Sequence, residues 1–304
     1  MNTPIAFFVF NRPETTARVF AEIRQIKPKS LFIIADAPRF NVPGDVNLCR
    51  AVLEIVSAVD WPCEVLTNFA EANMGCRQRV ASGLDWVFFH VAEAIILEDD
   101  CLPHASFFRY CEELLDRFRD DENIKIISGN NYLFDTLKIH DSYYFSNMTH
   151  IWGWATWARA WNQYDSDMAD WPELLTANWL SELFPDRGLR RYWERIFEFT
   201  YSGLINTWAL RFNYSCLVNN GMAVVPCVNL VTNIGFGSDA TTTQNPHRLA
   251  NVPSEGMNFP LIHPKAMEIN YQADRSVAKN IYFHPILPLF LAKIIERVKR
   301  KVIR

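Results

Sequence analysis

Short apolar runs alternate with amphipathic helical stretches through the first half of the chain, and this alternation limits the fold more than any other feature. Apolar runs lie at residues 5–10, 31–35 and 94–97, and residues 64–67 and 124–127 read as further short strands. Between them lie stretches with apolar residues every three or four positions, as in amphipathic helices. One begins at Pro13, and the others span 46–59, 75–90 and 104–118. Repeated strand–helix units predict an α/β fold with a Rossmann-like, mostly parallel sheet and helices on both faces.

Size and charge exclude several classes of protein. The 304 residues, 49% of them apolar and 21% charged, are enough for a sizeable core and too apolar for a disordered chain. With 30 Lys and Arg against 34 Asp and Glu, the formal charge of −4 argues against nucleic acid as a partner. The seven cysteines form no CxxC pair and no Cys/His cluster, so we expect reduced thiols in a cytoplasmic protein, without a zinc site.

Neither end of the chain contains a predicted membrane-spanning segment. The first apolar run stops at Asn11, which is too early for a signal peptide, and no window of about 18 apolar residues occurs. The tail, residues 281–304, has six Lys and Arg together with an apolar helical face of Leu291, Ile294, Ile295, Val298 and Val302. This pattern is typical either of a peripheral anchor on an anionic inner membrane surface or of an ordinary docked C-terminal helix.

Three adjacent carboxylates, Glu98-Asp99-Asp100, directly follow the apolar run 94–97. A buried strand would bring them to its carboxyl end, where ligands of parallel sheets bind and where like charges repel strongly. A divalent cation removes that penalty, because Mg²⁺ and Mn²⁺ prefer oxygen ligands and can also bridge a diphosphate leaving group. The alternative is a solvated acidic loop. The strand before the triplet and the apolar helix after it favour a metal or ligand site.

These features resemble the nucleotide-sugar glycosyltransferases of the GT-A fold, in which an Asp-x-Asp-like triplet ends a strand of a Rossmann-like sheet. The triplet with Phe107-Phe108-x-Tyr110 after it is similar to the animal transferases that add the first β1,2-linked N-acetylglucosamine to N-glycans, and more so to bacterial family-2-like glycosyltransferases. The resemblance covers roughly residues 4–245. Three further segments carry it: Phe10-Asn11-Arg12-Pro13, Asp36 within 34–39, and Asn73-Met74-Gly75-Cys76-Arg77.

The resemblance implies roles in binding the donor nucleotide. Arg12 would contact the nucleotide with its forked guanidinium, and Asp36 would accept a hydrogen bond from the uracil edge. The loop that contains Asn73 would close on the nucleotide. Arg77 or Arg79, at the start of a helix, would meet the diphosphate where the helix dipole also favours an anion.

The resemblance also assigns the triplet. Asp100 would hold the metal, Mn²⁺ or Mg²⁺, while Glu98 and Asp99 would contact the ribose or metal-bound water. The donor would be a UDP-sugar, and the acceptor a glycan or a lipid-linked oligosaccharide.

Four tryptophans lie between residues 151 and 161, and Trp154, Trp157 and Trp161 would share one face of a helix. The aromatic segment is either a packed core helix or a platform on which a pyranose stacks. Trp152 and Trp154 flank a glycine that permits close approach, and related transferases have a similar Trp-Gly-Trp run, so these two are the candidates for sugar contact. His150, just before them, would either donate to a phosphate or sugar or be structural.

The catalytic base has no obvious candidate. A carboxylate that takes the acceptor proton contributes about 10²–10⁴-fold, and in the resembling enzymes an Asp lies beside the tryptophan of a segment like 206–211. Here that position is Ala209, and no Asp or Glu occurs between Phe199 and Ser238. A base from elsewhere, a replaced residue, or a binding protein with little turnover would each explain this. The other carboxylates to consider are Asp239, Asp165, Asp167 and Asp170.

We therefore predict a metal-dependent hexosyl- or N-acetylhexosaminyltransferase, inverting, that acts in cell-surface polysaccharide synthesis. It would be one domain with a nucleotide-sugar half (1–135), an acceptor half (136–280) and the basic tail. One alternative is a noncatalytic or weakly active nucleotide-sugar-binding protein, because of Ala209. The other is a sugar nucleotidyltransferase, a class that usually has a glycine-rich loop after its first strand, whereas residues 10–13 contain no glycine.

Overall fold

The computed structural model describes residues 1–236 and 249–282, in which ten strands and ten α-helices follow one another. The strands are β1 (Ile5–Val9), β2 (Ser30–Ala35), β3 (Glu64–Phe69), β4 (Glu93–Glu98), β5 (Cys101–Pro103), β6 (Ile124–Ser128), β7 (Tyr143–Ser146), β8 (Trp154–Trp157), β9 (Met222–Pro226) and β10 (Val231–Asn233). The helices are α1 (Pro13–Ile26), α2 (Asp45–Val56), α3 (Gly75–His90), α4 (Ala105–Arg117), α5 (Ala158–Trp161), α6 (Trp171–Thr176), α7 (Leu180–Leu183), α8 (Arg187–Tyr201), α9 (Trp208–Val218) and α10 (Tyr271–Val277), and a π-helical turn, Ala278–Tyr282, follows α10.

Eight of these strands form one sheet in the order β3-β2-β1-β4-β8-β6-β9-β7. Strands β3, β2, β1 and β4 are parallel, as are β6 and β9, while β8 and β7 run antiparallel to their neighbours. The short strands β5 and β10 pair separately. The predicted α/β fold with a mostly parallel sheet is confirmed, and strands from both predicted halves of the chain contribute to the same sheet.

Helices cover both faces of the sheet because successive strand residues point to opposite sides. On β1, Ala6 and Phe8 belong to the same core cluster as buried residues of α3, α8 and α9, whereas Ile5, Phe7 and Val9 belong to the cluster that includes α1, α2 and α4. Burial on both faces explains the continuous apolar runs that the sequence shows. The carboxyl ends of β1, β2 and β4 consequently meet at one edge, between the two helical layers.

The first-half elements lie where the periodicity places them, with ends shifted by three residues or fewer. Pro13 occupies the first turn of α1, where its missing N–H costs nothing, and Lys27 ends the helix in the left-handed region with φ of 49°.

The tryptophan segment is not the predicted helix. Residues Trp154–Trp157 form strand β8 between β4 and β6, and only the last residues of the segment are helical, in α5. Trp154 and Trp157 therefore point to opposite faces of the sheet, and both are buried. The prediction of one shared helical face was wrong because a central strand buried on both sides has the same apolar density as a buried helix.

Several expectations concern the surface and the termini. All seven cysteines lie in the described ranges, and each is free. Within those ranges no helix has the length and apolarity needed to cross a bilayer. The predicted basic tail falls outside the described residues from position 283 onward, as does Asp239.

Candidate functional site

A cavity of about 440 Å³ opens at the carboxyl ends of β1, β2 and β4. We call it the main cavity. Its polar and aromatic lining comes from both halves of the chain: Phe10, Arg12, Asp36, Arg39, Asn73, Cys76, Arg79, Glu98, Asp99, Asp100, Trp152, Thr207, Trp208, Asn233 and Phe236. The predicted donor-binding residues Arg12, Asp36, Asn73, Glu98 and Asp99 thus line one space together with Asp100.

The register of two neighbouring strands brings Arg12 to the acidic triplet. Phe8 of β1 lies opposite Glu98 of β4, so the residues that follow each strand emerge side by side. The Phe10 amide donates to Asp99 Oδ2 at 3.1 Å, and Arg12 Nη1 donates to Asp100 Oδ2 at 2.8 Å. Arg12 Nη2 also donates to Asp99 Oδ1. Arg12 therefore binds both aspartates of the triplet with its forked guanidinium.

Burial and neighbouring charges both shift the pKa values of Arg12, Glu98 and Asp99. Burial raises the pKa of Glu98, and the charges of Asp100 and Asp99 raise it further. Burial also raises the pKa of Asp99, although Arg12 pulls it down. Burial opposes the charge on Arg12, but the two aspartates outweigh it and hold the pKa of Arg12 above its ordinary value. Three carboxyl groups against one guanidinium leave two negative charges when all are ionised, which a divalent cation would neutralise.

The donor chemistry of this edge fits Mg²⁺ or Mn²⁺. The side chain of Asp100 is 15% exposed, whereas that of Asp99 is 3% exposed and fully engaged with Phe10 and Arg12. In the described parts of the chain no three His, Cys, Asp or Glu side chains converge as a ligand set. Magnesium in phosphate-handling sites commonly binds one or two carboxylates and takes its other ligands from substrate phosphates and water. Asp100, with Glu98 beside it, supplies such a set.

The loop that follows β10 packs closely against Asp100. The antiparallel pairing of β10 with β5 places Asn233 opposite Cys101, and the Ile234 amide donates to the Asp100 carbonyl at 2.8 Å. Gly235 then lies so close that a Cβ atom there would be 2.7 Å from Arg12 Nη1 and would also collide with the Asp100 carboxylate. A larger residue at this position would therefore have to displace the side chains of Asp100 and Arg12.

Asp36 stands at the predicted place, at the end of β2, but its carboxylate is occupied. Oδ1 accepts from the amides of Ala37 and Met74, and Oδ2 accepts from the Gly75 amide and from Asn73 Nδ2. Four hydrogen bonds fill the acceptor capacity of a carboxylate. Asp36 therefore fixes the start of α3 beside the cavity.

The guanidinium groups of the two arginines predicted to meet a diphosphate are engaged by other protein groups, although Arg79 lines the main cavity. Arg77 is not among the lining residues of the main cavity; it donates to Asn206 Oδ1 at 3.1 Å and to the Ser166 carbonyl at 3.2 Å. Arg79 is 6% exposed and binds the carbonyls of Ala35 and Asn68. Arg77 thus joins the loops around the cavity, and Arg79 ties α3 to the ends of β2 and β3.

Sequence reasoning missed Arg39, which lines the main cavity. Its guanidinium makes two bonds to buried Asp45, at 2.6 and 2.8 Å, and lies 5.4 Å from the centre of the Phe10 ring. Asn11 Nδ2 also binds Asp45 at 2.8 Å, and the hydrogen bond from Arg39 contributes most to lowering the pKa of Asp45 to about 2. The signal was the arginine three residues after Asp36, in the same segment that carried the resemblance.

The two tryptophans predicted to contact sugar differ in position. Trp152 is partly buried and lines the main cavity, with its ring 5.6 Å from that of Phe236. Trp154 is 0% exposed and stacks on Trp208, so no sugar reaches it, and its assignment is corrected to the core. Trp208, which sequence reasoning used only as a landmark, lines the main cavity itself.

Position 209 faces the main cavity, as the resemblance implies for a base. Ala209 lies in the first turn of α9, after the N-cap Thr207. The alternative carboxylates Asp165, Asp167 and Asp170 are described but are not among the cavity residues. Asp165 instead accepts from the amides of Asp167 and Ala169 in a turn.

Comparisons with known proteins concern the fold. No family model matches the chain, and no curated protein does. Among solved structures, the chain is similar to the mannosyltransferase PcManGT from Pyrobaculum calidifontis in complex with GDP-Man and Mn²⁺, with 15% identity, 72% of this chain and 75% of that chain covered, and a TM-score of 0.40. It is also similar to a 4-diphosphocytidyl-2C-methyl-D-erythritol synthase from Anaerococcus prevotii (11% identity, 54% and 75% covered, TM-score 0.35). It is similar, too, to an apo UDP-glucose pyrophosphorylase, with 8% identity, 74% of this chain and 90% of that chain covered, and a TM-score of 0.35. Similarities of this size do not assign the chain to a family.

Proposed function

We propose that this protein is a metal-dependent glycosyltransferase that moves a sugar from a UDP-sugar to a glycan or lipid-linked acceptor. The observation that carries the proposal is the main cavity. The carboxylates at the end of β4, which would bind a divalent cation, line one side of it, and aromatic residues line the other. Clustered carboxylates beside a guanidinium suit a diphosphate and its metal, and the partly buried indole ring of Trp152 suits a sugar.

The residues at the acidic end of the cavity would have different roles. Asp100, with Glu98, would hold Mn²⁺ or Mg²⁺, which as a Lewis acid would neutralise the charge of the departing diphosphate. Arg12 holds Asp99 and Asp100 in place. Arg39, whose guanidinium is bound to Asp45 and lies beside the Phe10 ring, would line the nucleotide end of the cavity.

The other wall would receive the sugar and the acceptor. Trp152, which is partly buried, presents aromatic surface to the main cavity; Trp208, 2% exposed, and position 209 line the same wall. Asp36 and Asn73 shape the loop at the nucleotide end, where a uracil would displace one of the existing hydrogen bonds to Asp36. Action at a membrane through the tail, and a role in cell-surface polysaccharide synthesis, belong to this proposal.

A nucleotide-sugar-binding protein without turnover is the second candidate, because Ala209 supplies no base where the cavity would need one. The two functions share donor binding and differ in transfer.

The test is a panel of nucleotide sugars with Mn²⁺, read first as thermal stabilisation. Candidate acceptors then follow, with released nucleotide and transferred sugar measured. The proposal expects stabilisation by UDP-sugars that needs the metal, and release of UDP with sugar transfer. Binding without transfer supports the second candidate, and release of pyrophosphate would indicate a nucleotidyltransferase.

A further inference from the structure

A second, smaller cavity of about 190 Å³ adjoins the main cavity. We call it the inner cavity. The two cavities share Ile151, Trp152 and Ala209 in their walls, so they adjoin at the position expected for the base. The remaining side chains come from distant parts of the chain, among them Tyr132, His150, Tyr192, Trp193, Asn213 and Tyr282.

Three buried nitrogen atoms of this lining have no hydrogen-bond partner in the described part of the chain: His150 Nε2, Trp193 Nε1 and Asn213 Nδ2. The residues are 4%, 3% and 2% exposed. The amide of Asn213 is oriented by its oxygen, which accepts from the Thr149 amide at 3.1 Å and from Thr149 Oγ1 at 3.0 Å. Its N–H₂ group is therefore the free end. Unsatisfied buried polar atoms of this kind are costly unless a ligand or water binds them.

The described lining of the inner cavity carries no charge, unlike that of the main cavity. None of the lining residues in the ranges 1–236 and 249–282 is Asp, Glu, Lys or Arg, and burial lowers the pKa of His150 to about 3, so that its imidazole is neutral at pH 7. Burying an anion or cation here would leave its charge without a partner. The occupant must therefore be neutral.

The walls are aromatic. The rings of Tyr132 and Trp152 meet edge to face at 5.8 Å, and Tyr192 stacks on Tyr282 at 4.6 Å. The volume is below the roughly 300–1,000 Å³ of pockets that enclose drug-sized ligands, so it suits one ring rather than a chain of them. Aromatic walls with a few free donors match the C–H faces and hydroxyl acceptors of a pyranose.

We propose that the inner cavity binds one uncharged sugar ring of the acceptor, with Trp193 Nε1 and Asn213 Nδ2 donating to its oxygens. The identification as an acceptor subsite rests on the proposed function, because the ring would lie next to position 209 and the donor sugar. The selectivity follows from the lining: neutral hexosides enter, and uronic acids do not.

The matched variants are Trp193→Phe and Trp154→Phe. Each removes a buried indole N–H that has no partner in the described residues, together with the same amount of ring. Only Trp193 lines the inner cavity. A purely structural role for the two indoles therefore predicts similar behaviour, whereas sugar binding predicts a difference at position 193.

The probes are methyl β-D-glucopyranoside, methyl β-D-galactopyranoside and methyl β-D-glucuronide, measured by saturation-transfer NMR and titration with UDP and Mn²⁺ present. We expect at least one neutral glycoside to bind and the glucuronide to bind at least tenfold more weakly. Trp193→Phe should raise the Kd of the neutral glycoside about three- to tenfold, as for one lost hydrogen bond, and Trp154→Phe should leave it unchanged. Asn213→Asp, which keeps the Thr149 contacts but adds a charge, should abolish binding.

The binding measurements would overturn the proposal if they gave no binding of either neutral glycoside, equal binding of the glucuronide, or the same Kd in both tryptophan variants. Crystals soaked with the glycoside that contain only ordered water in the inner cavity would do so too. Stabilisation by UDP and Mn²⁺ is scored separately on the same samples, so failure of donor binding is distinguishable from failure of the inner cavity.

Discussion

Replacing Ala209 with Asp should place a carboxylate at the position where the resemblance implies a base. Ala209 is partly buried in the first turn of α9, borders both cavities, and donates its amide to the N-cap hydroxyl of Thr207 at 3.3 Å. An aspartate there would project from a helix N-terminus, which stabilises a negative charge by about 0.3–1 kcal/mol. Ala209→Asp should therefore fold and ionise at neutral pH.

The expected size of the effect follows from proton transfer. A positioned general base contributes about 10²–10⁴-fold, or about 3–5 kcal/mol of barrier. If the unmodified protein has no base, sugar transfer by Ala209→Asp should rise by about that factor, with the apparent affinity for the UDP-sugar unchanged. The gain should appear in kcat, because the carboxylate acts on the acceptor hydroxyl.

The assay is transfer from a radiolabelled UDP-sugar to the best acceptor of the panel, with Ala209→Asn as control. Asparagine has nearly the same size and polarity but cannot take the proton. Equal rates for Ala209→Asp and the unmodified protein would show that the base lies elsewhere, and equal gains in both variants would show a packing effect.

The remaining predictions concern the acidic end of β4 and one buried carboxyl. Arg12→Met leaves Asp99, 2% exposed, without its charged partner and should cost about 3–5 kcal/mol of unfolding free energy at pH 7; a loss below about 1 kcal/mol in urea titrations would contradict this. Gly235→Ala should destabilise by about 1–3 kcal/mol through its collision with Asp100 and weaken metal-dependent UDP binding, measured by calorimetry; wild-type affinity would argue against the close approach. Burial raises the pKa of Asp274, 1% exposed, to about 7, so the folded state holds this proton after the unfolded chain has released it near pH 4. Its contribution to stability should thus fall by up to about 4 kcal/mol as pH rises from 4 to 7, and Asp274→Asn should remove that slope from urea titrations; an unchanged slope would refute it.

The sequence predicted the features that depend on local pattern. Apolar runs and helical periodicity placed β1 to β4 and α1 to α4, and the position of Glu98-Asp99-Asp100 after a buried strand located the cavity. These predictions succeed because strand direction and side-chain alternation follow from short stretches of chain. That the carboxyl ends of neighbouring parallel strands meet can then be predicted without knowing the contacts between distant segments.

The failures depend on contacts between distant segments. Arg77 was expected at a diphosphate because it starts a helix, but Asn206 and Ser166, both far along the chain, hold it. Trp154 belongs to a core strand because β8 inserts between β4 and β6, a crossing that local periodicity does not encode. Asp36 shares the strand-end position of the acidic triplet, yet only the structure reveals that backbone amides occupy it.

The inner cavity has no sequence signal. Its free nitrogens lie on residues as far apart as His150, Trp193 and Asn213, and the absence of charge emerges only once the lining is assembled.

The most direct test of the account is the binding of UDP with and without Mn²⁺ to the unmodified protein and to Asp100→Asn. Asparagine preserves the shape of the side chain and an acceptor for Arg12 but weakens the grip on a divalent cation. The account predicts that UDP at about 100 times its Kd stabilises the unmodified protein by about 2.7 kcal/mol when Mn²⁺ is present, and that Asp100→Asn loses most of this gain. Equal stabilisation of both proteins, or stabilisation that ignores the metal, would contradict the assignment of the acidic strand end as the cation site.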